Sequence, residues 1–363
     1  MYTGFAALPH YAVLVNGNQI EALLPVVSAP DDLPRRDGRG LHLCPGFVDV
    51  QVYGGGGVLF SVNPTAEVLR TLAAHLLRGG TTSFLPTMPT NSPAMMQAAC
   101  AAVRQVQPTL PGVLGLHLEG PYINVGKKGA HQAEFIQQAT AEGVAELLRE
   151  ARGVLQLMTL APECVPPEIA RQLRRAGVTL AAGHSLATFD QATAAFNDGY
   201  LAATHLFNAM SGYEGRAPGI VGAVYDHATA LASIIADGVH CDFAALRISQ
   251  KVLGERLFLI TDAVAASTHG AYQFHRDGNR FVDANGTLAG SALTMPEAIA
   301  NCVRHAGISF EEALRMATLY PARLLGLDGE IGQLSPGTRA NMCLLDNDYQ
   351  VVATVQNGNW QEW

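Results

Sequence analysis

The residues of this chain best placed to do chemistry stand at the ends of four short apolar runs. Residues 114–119 (LGLHLE) end on Glu119, residues 179–184 (TLAAGH) on His184, residues 202–205 (AATH) on His205 and residues 257–262 (LFLITD) on Asp262. A buried strand that delivers one polar side chain at its C-terminal end is how a (β/α)8 barrel assembles an active site. One Glu and two His on nearby strands match the His2Glu ligand set of catalytic zinc sites, which keep one position open for water. Such an ion lowers the pKa of water toward neutrality, and Asp262 beside it could take that proton and return it to a leaving group. Together the four endings point to metal-assisted hydrolysis.

Each ending also has a plainer reading. Glu119 lies in His117-Leu-Glu-Gly-Pro121. Strand alternation turns His117 and Glu119 to one face, and Gly-Pro ends the strand behind them. Taken alone, Glu119 reads equally as a solvated loop acid. His184 follows the small residues Ala181-Ala-Gly183, which allow close backbone approach. It and His205 also read as hydrogen-bonded histidines at helix starts. Asp262 also reads as an N-cap for the segment that follows. His131, His240 and Arg216 lie in glycine-containing loops shortly after candidate strands. From the residues alone they are surface loop positions on the same rim as the strand endings. His10, His42, His75, His227, His269, His275 and His305 carry no functional reading.

Positioning these endings requires an alternation of strand and helix, and residues 45–327 have it. The apolar run 46–52 leads to a helix over 66–78, 81–85 to one over 93–105, and 113–119, after a long loop, to 139–151. Run 154–160 leads to 167–176, and 178–184 to 188–198. Run 201–205 enters a Gly- and Pro-rich loop to about residue 222, 230–236 leads to 243–253, and 257–262 closes the series. Eight strands alternating with helices predict an α/β fold, a (β/α)8 TIM barrel. A doubly wound open sheet is the structural alternative, but no GxGxxG opens a helix here. Both ends of the chain read as strands instead: Tyr11-Ala-Val-Leu-Val-Asn-Gly and residues 20–27 at one end, residues 341–346 and 351–358 at the other. Residues 1–44 and 328–363 are therefore expected to pair into one small β-sandwich module beside the barrel.

Bulk properties narrow the class. At 363 residues, 48% hydrophobic and 15% charged, the chain is long enough for one large cored domain and too apolar for disorder. The formal charge of −8 and the absence of basic runs disfavour nucleic-acid binding. No apolar run approaches the roughly 20 residues of a membrane span. Six scattered cysteines without a CxxC pair suit reduced thiols, and no charged n-region precedes an apolar stretch at the N-terminus. A cytoplasmic protein is expected.

The chain resembles the N-acetylglucosamine-6-phosphate deacetylases of the amidohydrolase superfamily. The matching segments run in family order: Pro45-Gly-Phe-Val-Asp-Val-Gln51, Gly79-Gly-Thr-Thr82, His117-Leu-Glu-Gly-Pro121, Lys128-Gly-Ala-His131, Gly183-His184, Thr204-His-Leu-Phe-Asn-Ala-Met210, Asp237-Gly-Val-His240, Thr261-Asp262 and Leu288-Ala-Gly-Ser-Ala-Leu-Thr294. The resemblance implies a divalent metal ion, one Zn2+, held by Glu119, His184 and His205, with Asp262 as catalytic acid/base. It implies that His131 polarises the acetyl carbonyl. It implies that Ala130, Asn208, Ala209, Leu288, Ala289 and Gly290 line the sugar site with His240, and that Arg216 holds the phosphate. It further implies a homodimer, with residues 237–240 near the partner subunit's site. One position departs from the pattern. Many amidohydrolases carry His-x-His after the first strand, and the deacetylases often have Gln-x-Asn; this chain has Gln51-Val-Tyr53. Gln is a poor metal ligand beside imidazole, which favours one ion over two. The rival readings are an N-acetylgalactosamine-6-phosphate deacetylase, another amidohydrolase, and a non-catalytic barrel.

Overall fold

A computed structural model describes residues 1–363. Its centre is an eight-stranded parallel sheet in which every strand neighbours the next one along the chain. The strands are Phe47–Val52, Thr81–Pro89, Leu116–Glu119, Leu155–Leu160, Thr179–Ala182, Ala202–Ala203, Leu231–Ile234 and Leu257–Leu259. The sheet closes on itself just beyond the last strand. Asp262 N–H donates to Gln51 O at 3.0 Å, Tyr53 N–H donates to Ala263 O at 2.9 Å, and Val52 pairs with Ala263 in parallel. The expected (β/α)8 barrel is present. Its closing seam brings the end of the first strand against Asp262.

The helices pack outside, started by the side chains that precede them. Thr65 caps Ala66–Arg78, Ser92 caps Pro93–Val106, Thr140 caps Ala141–Glu150 and Asp242 caps Phe243–Leu253. Thr188 and Gln191 form a reciprocal capping box on Phe189–Asn197. Each cap satisfies a backbone N–H that the first helical turn leaves free. Two stretches differ from the sequence expectation. The Gly- and Pro-rich loop after His205 is shorter than its composition suggests, because Gly219–Asp226 is helical and buried along most of its length. Beyond Asp262 the chain adds a three-stranded antiparallel sheet, His275–Asp277, Arg280–Val282 and Leu288–Ser291, before the helices Met295–Arg304, Phe310–Ala317 and Leu319–Leu324.

The termini meet as strands. Tyr11–Asn16 and Gln19–Pro25 form a hairpin, and His42–Pro45, Met342–Leu345, Val351–Gln356 and Asn359–Glu362 form a four-stranded antiparallel sheet. Ile20 from the hairpin and Met342 and Val355 from the sheet share one small apolar core with Leu334 and Ala340. No helix is long and apolar enough to cross a membrane.

Candidate active site

The inner face of the barrel carries polar side chains in two layers. In the lower layer, His117 Nδ1 lies 3.0 Å from Val50 O, and its Nε2 lies 2.8 Å from Thr159 Oγ1, which in turn meets Thr204 Oγ1 at 2.8 Å. Burial pulls the His117 imidazole down to about 4 despite the pull of Glu119. The neutral ring therefore donates from Nδ1 to Val50 and accepts at Nε2. Asp49, fully buried, accepts from Thr261 Oγ1 at 2.5 Å and from the N–H groups of Thr261 and Gln51 at 3.3 Å each. It clasps the first and last strands directly beneath the barrel mouth.

The upper layer gathers around Glu119, two residues beyond His117 on the same face. Its Oε1 lies 3.2 Å from His184 Nε2 and 3.0 Å from His205 Nε2, and accepts from Gln51 Nε2 at 3.0 Å. Its Oε2 faces His131 Nε2 at 3.0 Å and accepts from the Tyr53 hydroxyl. His184 and His205 approach to 3.1 Å between their Nε2 atoms. Gln51 Nε2 also donates to Asp262 Oδ1 at 2.8 Å, so one amide joins the two carboxylates. All of these side chains are buried.

Backbone geometry aims them. His184, His205 and Asp262 have φ of 49°, 37° and 53°. This left-handed region is disfavoured for residues with a Cβ and costs on the order of 1 kcal/mol or more each. It ends the extended run at the residue that carries the chemistry. Glu119 keeps strand geometry, and the turn falls on Gly120 at φ 88°, where a Cβ would lie 2.1 Å from Thr90 Oγ1. Gly183 serves close packing: a Cβ there would come within 2.7 Å of Thr159 Cγ2.

The electrostatics separate the two carboxylates. Burial raises the Glu119 carboxyl, but the charge of His184 and the hydrogen bonds of the three histidines outweigh it and hold it well below the usual carboxylate range. Burial and the neighbouring charges of Glu119, Asp49 and Asp237 push Asp262 well above that range. Two carboxyl groups driven apart in this way suit different tasks, a fixed anion and a proton carrier.

Two histidine sets can be drawn around Glu119 for a metal ion. The ligand atoms of Glu119, His131 and His184 lie within 4.8 Å of one another. Hydrogen bonding argues against His131 in that role. Its Nδ1 accepts the Thr90 N–H at 3.3 Å, so its proton sits on Nε2. His184 is the reverse: Nδ1 lies 2.8 Å from Lys127 O and must donate, so Nε2 is the nitrogen that would ligate a cation once its proton is displaced. With His205 Nε2 and Glu119 Oε1, three ligand atoms converge within 3.2 Å of one another. This buried Glu/His cluster fits a divalent ion.

One cavity of about 330 Å3 covers the cluster. Its wall includes Glu119, His131, His184, His205 and Asp262, and also Ala130, Asn208, Ala209, His240, Leu288 and Ala289, all singled out from the sequence. Asn208 Nδ2 donates to the carbonyls of His205 and Leu206 at 3.3 and 3.2 Å, which leaves its Oδ1 for a ligand. Two of the expected residues lie away from this wall. Gly290 is buried behind Leu288 and Ala289, where a Cβ would lie 2.6 Å from Val264 Cγ1, and it does not reach the wall. Arg216 is exposed on the turn closed by Glu214 and Ala217, outside its own chain's cavity. His240 lines the cavity of its own chain, with Nδ1 2.6 Å from Asp237 Oδ2.

Several residues at the site had no functional assignment from sequence. Gln51 and Tyr53 alternate on the first strand's exit and could have been read as inward-facing, but their partners could not. Tyr272 and Phe274 reach the wall from the segment beyond Asp262. Glu163 accepts from Asn124 Nδ2 at 2.9 Å, Ser185 Oγ at 2.5 Å and Leu186 N–H at 2.6 Å, tying the loop after Glu119 to the loop after His184. No local signal marks such a clamp.

A barrel with this mouth defines a class, and the comparisons agree. The sequence pattern of the amidohydrolase family matches residues 42–361, and the chain belongs to that family. Among its relatives is the N-acetylglucosamine-6-phosphate deacetylase of Haemophilus influenzae, 38% identical across 100% of this chain and 97% of that protein. The N-acetylgalactosamine-6-phosphate deacetylase of Escherichia coli O157:H7 is 37% identical across 92% of this chain and 89% of its own length. The crystal structure of N-acetylglucosamine-6-phosphate deacetylase from Pasteurella multocida superposes with a TM-score of 0.96 at 37% identity, over 100% of this chain and 97% of that one.

Proposed function

We propose that this protein hydrolyses the N-acetyl group of N-acetylglucosamine-6-phosphate, giving glucosamine-6-phosphate and acetate. The observation that carries this reading is the Glu119 hub: two imidazole Nε2 atoms converging on one carboxylate oxygen, and a second carboxyl, Asp262, held beside it through Gln51. The names of the relatives supply the substrate. Glu119 Oε1, His184 Nε2 and His205 Nε2 would hold one divalent ion, zinc by its preference for nitrogen and carboxylate ligands. When bound, such an ion supplies Lewis acidity that acidifies water and polarises a carbonyl oxygen.

The chain's own residues carry the protons. Gln51 Nε2 occupies Asp262 Oδ1, which leaves Oδ2 to take a proton from the attacking water. The raised pKa of this carboxyl makes it a competent base and then a competent acid. His131 Nε2–H points at Glu119 Oε2, and shifts to the acetyl oxygen as that oxygen gains charge. Water adds to the carbonyl carbon, the C–N bond breaks, and Asp262 returns its proton to the departing nitrogen. The amine and acetate leave.

Asn208, Ala209, Ala130, Leu288 and Ala289 would contact the sugar. His240 is the imidazole of the cavity wall outside the cluster. Arg216 fits the phosphate role only if a second copy of the chain presents its turn to the cavity, so this reading includes a homodimer in the cytoplasm. It also retains a division into the barrel, residues 45–327, and a terminal module, residues 1–44 with 328–363.

The test is acetate release from N-acetylglucosamine-6-phosphate, its galactosamine epimer and the unphosphorylated sugar, after chelation and after zinc is restored. Zinc-dependent release from the phosphorylated glucosamine derivative, faster than from the other two, is expected. Faster release from the epimer would move the assignment to the galactosamine enzyme. No release from any of them with zinc bound would sink the amino-sugar reading.

A further inference from the structure

One contact of the site has no part in the reaction above. Tyr53, two residues beyond Gln51, donates its hydroxyl proton to Glu119 Oε2. The hydroxyl oxygen lies 2.9 Å from Gln51 Nε2, a nitrogen that cannot accept, so its single proton is committed to the carboxylate. Packing fixes the phenol in place. Its buried ring belongs to a small apolar cluster with Leu59, Val264, Tyr272, Phe274 and Phe281, separate from the barrel core.

A carboxylate can offer a metal ion one oxygen or two. Here Oε2 takes the Tyr53 hydroxyl and the His131 Nε2–H at 3.0 Å, which fills its in-plane lone pairs. Only Oε1 faces His184 and His205. We propose that Tyr53 is a positioning residue that makes Glu119 a one-oxygen ligand and thereby limits the coordination number of the centre. This rests on the ion assignment made above. The role belongs to the tyrosine at the position where the sequence departs from Gln-x-Asn.

Hydrogen-bond partners of metal ligands typically alter affinity by about 10- to 100-fold when removed. Tyr53→Phe keeps the ring and deletes the donor. The experiment strips the protein with a chelator and measures zinc affinity by competition with a chromophoric chelator. Cobalt(II) is then loaded and its visible absorption recorded. Tyr53→Phe is expected to bind zinc about 10- to 100-fold more weakly. Its cobalt bands should weaken as the second carboxylate oxygen enters the coordination sphere. Leu59→Ala loosens the same apolar cluster without touching the hydroxyl, and is expected to match wild type in both readouts. Glu119→Gln is the control for the centre itself and is expected to lose tight binding. If Glu119→Gln loses the ion while Tyr53→Phe keeps wild-type affinity and spectrum, the role of Tyr53 is overturned and the centre stands. If Leu59→Ala shifts both readouts as Tyr53→Phe does, packing explains the effect and the proposal is again overturned. If Glu119→Gln binds zinc as wild type does, the ion assignment fails and the proposal falls with it.

Discussion

At the floor of the cavity Glu119, His184, His205 and Asp262 each sit where a barrel strand stops, and each is held by at least one buried hydrogen bond. At the rim the contributors come from loops of unequal length, Ala130 from a turn after Lys128 and Leu288 and Ala289 from an added hairpin, while Arg216 stands on an exposed turn outside the cavity. The floor inherits its geometry from sheet register, which a change of loop leaves alone. The rim has no such frame, so its residues are set by contacts distant in sequence or by another molecule. Chemistry placed on the floor and recognition placed on the rim should therefore fail differently when mutated.

The largest effect is expected at Asp262. Asp262→Asn keeps the side-chain shape and an oxygen for Gln51, but cannot carry the proton. Turnover should fall by about 10^2- to 10^4-fold while metal analysis finds the ion retained. Full turnover with the ion bound would remove Asp262 from the reaction.

His131 tests a floor residue held from the rim side. Its ring is oriented by the Thr90 N–H, and Thr90 O accepts from the Tyr272 hydroxyl of the added segment. Burial and the charge of His184 pull this imidazole down to about 4, so it works as a neutral donor. His131→Ala should lower kcat by about 10^2- to 10^3-fold, with KM and metal content little changed. A change confined to KM would make it a binding residue of the rim type.

Asp49 probes the seam beneath the floor through stability. Burial lifts its carboxyl from 3.8 to about 6, against the opposing hydrogen bonds of Thr261 and Gln51. Between these values the folded protein keeps a proton that the unfolded chain has released. The stability this confers is present below about pH 3.8 and is lost as pH rises to about 6, a change of about 3 kcal/mol. Asp49→Asn cannot titrate and should not show that loss. Denaturant unfolding of both proteins at about pH 4 and pH 7 measures the difference. Equal pH dependence in the two would mean that Asp49 is ionised throughout.

The same division explains what could be read from sequence. All eight barrel strands and the four chemical endings were legible, because a buried strand announces itself as an apolar run and its last polar residue stands out. Most flanking helices were legible from their apolar spacing and their Ser, Thr or Asp caps. The added sheet beyond Asp262 was not, since its strands are three or four residues long and the first is wholly exposed. Glu163, Thr90 and the Lys127 carbonyl were not, because their importance lies in partners that only folding brings near. Gln51 and Tyr53 stood in plain view as a departure from the family pattern, yet the Glu119 carboxylate they meet is more than sixty residues away.

Arg216 makes the most revealing of the smaller effects. It is expected to serve the phosphate of the substrate, yet it lies outside its own cavity. Losing a charged hydrogen bond to phosphate should raise KM about 10- to 100-fold in Arg216→Ala, with kcat preserved. The position of the residue then decides how two defective proteins combine. If Arg216 acts on a partner's site, mixed dimers of Arg216→Ala and Asp262→Asn chains contain one site with both defects and one with neither. Mixing the two after dissociation and reassociation should restore activity at low substrate, toward a quarter of the wild-type value for random pairing. If Arg216 reached its own cavity by a loop movement, every site in the mixture would keep one defect and no activity would return. The first result would make the rim a property of two chains while the floor remains a property of one.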